Sequence, residues 1–92
     1  MAEAGPVSIV GGLLVNVSPY GMLIESPLPM ETEAVHRFRL VIQRAQSDVL
    51  ARVAACWPGD NNRYHIGLEF VNLSDVVRAR LAEILRSRPS NS

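Results

Sequence analysis

The feature that most constrains the fold is a two-residue alternation of apolar and polar side chains, which recurs in short runs along the chain. In the clearest run, 63–71, one face carries four apolar side chains: Tyr64, Ile66, Leu68 and Phe70. This period is typical of a β-strand with one buried face and one wet face. Runs 48–57 and 35–42 alternate in the same way, and runs 9–17 and 21–25 are apolar with β-branched residues. The sequence therefore predicts five strands.

The residues between these runs have turn chemistry. Residues 18–21, Ser-Pro-Tyr-Gly, divide the first two runs and predict a hairpin. Two prolines prevent 26–32 from continuing a central strand, so this stretch is predicted to be a surface connection. Residues 58–62 combine Pro, Gly, Asp and two Asn, which indicates a loop between the last two strands.

After Asn72 the period changes to that of an amphipathic helix. Four apolar residues fall on one helical stripe: Val77, Leu81, Ile84 and Leu85. Ser74 is suited to cap the N-terminus and Asp75 to the positive end of the helix dipole, while Arg86 and Arg88 suit the other end. We expect a helix over 74–88 and flexible tails at 1–7 and 89–92.

A chain of 92 residues can bury one small core, so residues 1–92 are expected to form a single domain. An open sheet of this size would leave two edges exposed. We therefore predict an all-β dominated fold, a small antiparallel β-barrel over 8–72 of six strands, or of five if truncated. The C-terminal α-helix would cover one open end or one edge of the barrel.

The composition argues against several functions. Nine arginines balance nine acidic residues, so the positive field on which non-specific DNA binding depends is missing. One cysteine and two histidines cannot fill a zinc site without carboxylates, and no lysine is present for a Schiff base. No apolar run approaches the roughly 20 residues needed to cross a bilayer. We expect no enzyme, metal, DNA partner or membrane insertion, and a cytoplasmic location because no secretory signal begins the chain.

One short motif carries a chemical hypothesis. Residues 16–21 match Asn/Asp-x-Ser-x-x-Gly and lie directly between two predicted strands. Further along, the strand sequence Ile-Gly-Leu-Glu-Phe at 66–70 is followed by Asn-Leu-Ser and the amphipathic helix. In this order, over residues 9–86, the chain resembles the PilZ family.

The resemblance implies a six-stranded antiparallel barrel that commonly binds the bacterial second messenger cyclic di-GMP. By this resemblance Asn16 and Ser18 would offer hydrogen bonds to a guanine edge and a nearby phosphate. Gly21 would let the backbone approach the ligand and adopt a conformation forbidden to residues with a Cβ. The alternative, which stays open, is that these residues simply form a hairpin turn with local hydrogen bonds.

The second ligand-binding motif of that family, Arg-x-x-x-Arg ahead of the first strand, is absent. No two arginines stand four positions apart, and the first arginine is Arg37. Two charge-assisted contacts at about 1.5 to 3 kcal/mol each amount to roughly 3 to 6 kcal/mol. This loss would weaken affinity on the order of a hundredfold to ten-thousandfold.

We therefore expect a non-enzymatic adaptor that docks to another bacterial signalling or motility protein and has no cofactor of its own. The expected docking surfaces are the helix face, the 27–30 loop and the sheet face with Leu50 and Val71, and a homo-oligomer is equally compatible. The alternative is a true cyclic di-GMP receptor that obtains arginines from an upstream segment or a partner.

Several other side chains have both a functional and a structural interpretation. The strand residues Arg37, Arg39, Arg52, Arg63 and His65 would form either a basic stripe for an anionic partner or an ordinary solvated face paired with acids such as Glu69. Tyr20 and Trp57 lie beside loops and are either packing residues or partner anchors. Cys56 is expected to be a small, half-buried residue.

Overall fold

The computed structural model describes residues 7–87, which form six antiparallel strands and one helix. The elements are β1 (Val7–Ile9), β2 (Leu13–Val17), β3 (Gly21–Ser26), β4 (Val35–Ile42), β5 (Ala45–Pro58), β6 (Tyr64–Val71) and α1 (Asp75–Ser87). The strands are ordered β1-β4-β5-β6-β3-β2 in one sheet that rolls into a nearly closed barrel. The predicted fold class, a six-stranded barrel with one C-terminal helix, is confirmed.

The predicted single strand 9–17 is in fact two strands on opposite edges of the sheet. Gly11 has a φ of +82°, in the left-handed region, and the chain turns over 10–12. As a result β1 pairs with β4, whereas β2 pairs with β3. Val7, predicted to lie in a flexible tail, is instead a strand residue opposite Ile42 and is only 2% exposed. The rest of the predicted tails, 1–6 and 89–92, lies outside the described residues.

Strand β5 begins earlier than the alternation at 48–57 suggests. Gln43 and Arg44 both have positive φ, 50° and 74°, and form a two-residue hairpin that joins β4 to β5. This backbone conformation matches the twist of the flanking strands. Because neither residue is a glycine, the sequence carries little local signal for the turn.

The core fills the barrel interior and extends under the helix. The fully or nearly fully buried apolar side chains come from every strand, from the β6–α1 connection and from α1: Val7, Ile9, Val17, Met22, Ile24, Leu40, Ile42, Val49, Ala51, Val53, Ile66, Leu68, Leu73, Leu81 and Ile84. Within residues 7–87 no polar or charged side chain is buried. Among the described residues, the interior of the barrel is therefore filled by apolar side chains.

Because the strands are antiparallel, the connections alternate between two ends of the barrel. The helix-capped end carries the turns at 18–20 and 43–44 and is covered by α1, whose Leu81 is 0% exposed. The open end carries the turn 10–12, the connection 27–34 and the loop 59–63. The predicted helix cap is present, since the Val77 N–H donates to Ser74 Oγ at 3.2 Å. No helix in the described part of the chain is long and apolar enough to span a membrane.

Candidate functional site

The turn between β2 and β3 contains the Asn-x-Ser-x-x-Gly motif and is held by its own serine. The Ser18 hydroxyl oxygen accepts the N–H of Tyr20 at 3.1 Å and the N–H of Gly21 at 3.2 Å. The Ser18 N–H also donates to the carbonyl of Gly21 at 2.8 Å. One side chain thus accepts hydrogen bonds from two backbone N–H groups. Ser18 therefore stabilises the turn without any ligand.

Gly21 is needed for a different reason from the one expected. Its φ is not in the left-handed region, where Gly11 is the one glycine of residues 7–87. A Cβ at position 21 would instead lie 2.2 Å from the carbonyl oxygen of Leu68 on the adjacent strand β6. The expectation of a forbidden conformation is therefore wrong, and close approach of two strands explains the glycine.

Asn16 faces outward because strand β2 contains a bulge. The pairing with β3 shifts between Leu14 and Asn16, so Val15 is an extra residue. Without it, alternation would turn Asn16 toward the core. Its Oδ1 accepts the N–H of Val17 at 2.8 Å, while its amide N–H groups have no partner within the described residues. The Asn16 amide can therefore donate to a ligand from the outer wall of the barrel.

These three residues line one shallow cleft of about 200 Å³, together with Val17, Met22 and Leu23. The volume is smaller than the roughly 300 Å³ at which small-molecule sites usually begin. Among residues 7–87, no arginine lines the cleft. The structure thus brings the predicted Asn16, Ser18 and Gly21 together, on a surface that supplies hydrogen bonds but no positive charge.

An arginine of the helix contacts the turn 18–20, which we call the motif turn. No pattern in the sequence predicts this contact. Arg78 of α1 donates from Nη1 to the carbonyl oxygen of Pro19 at 3.2 Å, and its guanidinium lies 5.5 Å from the centre of the Tyr20 ring. The two positions are 59 residues apart. Both contacts join the helix to the turn, through a hydrogen bond and a cation–π interaction. This guanidinium is engaged outside the cleft.

The arginines on the sheet are mostly paired with acids. Arg39 pairs with Asp48, Arg63 and His65 pair with the two oxygens of Glu25, and Arg52 pairs with Glu69 and Glu33. The hydrogen bond to Glu69 and the attraction of both acids raise the pKa of Arg52 above its ordinary value. Among the described residues Arg37 has no acidic partner. Most of these arginines therefore form ion pairs on a solvated face of the sheet. The structure does not favour the alternative interpretation, a basic stripe for an anionic partner.

The three predicted docking surfaces differ in which apolar side chains they expose to solvent. The apolar stripe of α1 packs into the core, and the helix exposes Val76 instead. On the sheet, Leu50 lies opposite Val71 and Arg37. In the 27–30 loop Leu28 is 70% exposed, as much as Val76. Trp57 is partly exposed and tilted against His65 at a ring distance of 5.6 Å, and Cys56 is half-buried.

Within residues 7–87 no cluster of three or more His, Cys, Asp or Glu side chains could hold a metal ion. A family model described as PilZ domain matches residues 3–87 of the chain. The matched segment contains no arginine before Arg37. No curated protein and no solved structure matches the chain significantly.

Proposed function

Since the chain belongs to the PilZ domain family, we propose that it is a cytoplasmic adaptor that acts by binding another protein and binds cyclic di-GMP only weakly on its own. Family membership makes it a cyclic di-GMP-related signalling domain. Domains of this family are non-catalytic binding or adaptor domains. The partner is another bacterial signalling or motility protein.

The observation that carries the proposal is that no guanidinium of the described residues lines the motif cleft. Cyclic di-GMP has two phosphates, and fork-shaped arginine contacts are the usual means of binding such groups tightly. Here the cleft offers amide, hydroxyl and backbone groups, and the Ser18 hydroxyl already accepts two backbone N–H groups. Arg78, the arginine that contacts the turn, is held by Pro19 and Tyr20. The cleft therefore supports weak binding.

The same geometry supports a non-enzymatic role. A serine nucleophile needs a base within hydrogen-bond reach. The hydroxyl of Ser18 is committed to the turn, and neither His36 nor His65 lines the cleft. Ser18 is therefore a structural residue of the turn.

The proposal is tested by calorimetric titration of the chain with cyclic di-GMP. We expect no saturable binding below about 100 µM, from the loss of two charge-assisted contacts. A low-micromolar dissociation constant would overturn the proposal. If binding occurs, Asn16→Ala should abolish it, whereas Gln46→Ala, an exposed position on β5, should leave it unchanged.

A second candidate function is a cyclic di-GMP receptor whose arginines come from an upstream segment or a partner protein. It is favoured by the Asn16 amide, which faces outward with N–H groups that have no partner in residues 7–87. The double variant Ala2→Arg/Pro6→Arg introduces the Arg-x-x-x-Arg spacing ahead of β1. If the half-site is competent, this variant should gain binding that Asn16→Ala then removes. No gain would count against this candidate.

The adaptor role itself is tested by capture of a stoichiometric partner from a lysate of the source bacterium. Leu50→Asp places a charge on the outer face of the sheet beside Val71 and Arg37. Gln46→Asp adds the same charge on the same strand and is the matched control. Loss of the partner with Leu50→Asp alone would assign the sheet face, and loss with neither would direct attention to the other two surfaces.

A further inference from the structure

We propose that Arg78 is the cation that serves the motif cleft, the cleft lined by Asn16, Ser18 and Gly21, and that Tyr20 holds this arginine outside the cleft at rest. The ligand is a nucleotide whose phosphate the guanidinium binds. This inference rests on the proposed function and deepens it. It names the residue that supplies positive charge for the weak binding and the residue that limits that supply.

The contacts that hold Arg78 at rest are weaker than those a phosphate offers. Its Nη1 donates to one carbonyl oxygen, that of Pro19, at 3.2 Å, and its guanidinium lies 5.5 Å from the centre of the Tyr20 ring. The Tyr20 side chain is 72% exposed, and exposed cation–π contacts are weak. A phosphate can accept two parallel N–H bonds from an arginine and adds the attraction of opposite charges. A phosphate is therefore the better partner for this guanidinium.

No acid of residues 7–87 forms an ion pair with Arg78. Asp75 lies three positions earlier in the first turn of α1 and is not paired with it. Glu69, which lies opposite Gly21 on the adjacent strand, is paired with Arg52. The paired arginines of the sheet would have to leave a carboxylate in order to bind a ligand. Arg78 has no carboxylate to leave.

The motif turn places Arg78 beside the motif cleft. Pro19, which accepts its hydrogen bond, directly follows Ser18, and Ser18 lines the cleft. The backbone of Arg78 is fixed in the helix, since its N–H donates to the carbonyl of Ser74 at 2.9 Å. The change from rest to binding is therefore a rotation about side-chain bonds, with the helix in place.

The Asn16 amide and the Arg78 guanidinium suit different parts of a nucleotide. The amide N–H groups of Asn16 have no partner within residues 7–87 and can donate to acceptors on the edge of a base. The guanidinium suits a phosphate. The Ser18 hydroxyl already accepts two backbone N–H groups and adds no charge. The amide and the guanidinium together define a site with one contact for the base and one for the phosphate.

The test follows NMR signals of the folded protein as cyclic di-GMP is added to millimolar concentration. In the wild type, the side-chain amide signals of Asn16 should shift progressively. Arg78→Gln should weaken binding at least about tenfold, the effect of losing one charge-assisted contact. Arg80→Gln is the matched control, because it removes the same charge from the same helix at a residue that lines a different cleft, beside Gln43. It should bind like the wild type.

The holding role of Tyr20 has its own test. Tyr20→Leu removes the ring and keeps an apolar side chain, so it should tighten binding about two- to fivefold by releasing the guanidinium from the cation–π contact. Tyr20→Phe keeps the ring and should bind like the wild type. In the double variant Tyr20→Leu/Arg78→Gln the gain should disappear. A merely structural role of Tyr20 would not make the gain depend on Arg78.

Arg78→Gln that binds as tightly as the wild type would overturn the inference, and so would a wild type whose signals do not shift at millimolar ligand. A Tyr20→Leu variant without any gain, or a gain that persists in the double variant, would overturn the holding role. A low-micromolar dissociation constant of the wild type would overturn the proposed function alone. The comparison of Arg78→Gln with the wild type would still decide the inference.

Discussion

The two ends of the barrel differ in how their apolar residues are covered. At the helix-capped end, α1 and the residues before it bury Leu73, Leu81 and Ile84, and Arg78 joins the helix to the motif turn. At the open end no helix formed by residues 7–87 covers the strands, and Leu28, Val10 and Leu13 are exposed. One end is closed by the chain itself, and the other presents apolar groups to solvent.

This difference separates residues that support the fold from residues that are available for binding. The Asn-x-Ser-x-x-Gly motif belongs to the helix-capped end, where Ser18 and Gly21 have structural roles of their own. Substitutions there change stability, so a loss of function has two causes to distinguish. At the open end, the exposed side chains contribute little to folding, and their substitution should change the free energy of unfolding only slightly.

The largest effect is expected where the helix closes the barrel. Leu81→Ala removes a side chain that is 0% exposed and leaves a cavity, which should lower the free energy of unfolding by about 2 to 5 kcal/mol. Val76→Ala, on the exposed side of the same helix, should change it by less than about 0.5 kcal/mol. Urea unfolding of both variants measures the contrast, and similar losses would show that α1 does not cover the core.

The next effect tests the contact between strands at the motif. Gly21→Ala puts a Cβ against the carbonyl oxygen of Leu68 and should destabilise by about 1 to 3 kcal/mol. Gly67→Ala is the control, because a Cβ there has its nearest neighbour at 3.9 Å. Thermal and urea unfolding should rank the two variants clearly. Equal stability of the two variants would contradict the close approach of Gly21 to strand β6 as the reason for the glycine.

A smaller effect is expected for the turn itself. Ser18→Ala removes the acceptor of two backbone N–H groups and should lower the free energy of unfolding by about 1 kcal/mol. Ser8→Ala, at an exposed position of β1, serves as the reference. Urea unfolding decides between them, and a neutral Ser18→Ala would contradict the structural role given to the hydroxyl.

The smallest effect on stability is expected at the open end. Leu28→Ala should change the free energy of unfolding of the monomer by no more than about 0.5 kcal/mol, because the side chain is largely exposed. Unfolding is measured at low protein concentration, where association does not contribute. A loss of more than about 2 kcal/mol would show that Leu28 packs into the fold and would remove the contrast between the two ends.

Regular periods in the sequence predicted most of the fold. The alternation at 64–70 predicts strand β6, and the apolar stripe at 77–85 predicts helix α1. Each pattern is long enough to distinguish the two-residue period of a strand from the 3.6-residue period of a helix. The family resemblance added the sixth strand. The spacing of apolar residues could not predict the break after Ile9. The apolar run continues past this position, although the chain turns at Gly11.

The candidate site was predicted in its residues but not in its geometry. Residues 16–21 were found from spacing, since the motif is local. The outward direction of Asn16 depends on a bulge at Val15, which changes the period by one residue and leaves no compositional mark. The contact of Arg78 with Pro19 joins the helix to a distant turn, and only the three-dimensional packing brings them together.

The direction of β1 determines the end at which the chain enters the barrel. Val7 pairs with Ile42, next to the 43–44 turn, so the chain enters the barrel at the end where the Asn-x-Ser-x-x-Gly motif lies. Val7 itself, the first described residue, therefore lies at the motif end of the barrel. A short tether raises the local concentration of its side chains to the millimolar range. A side chain attached at this point by a short linker would therefore be confined to the neighbourhood of the Asn-x-Ser-x-x-Gly turn.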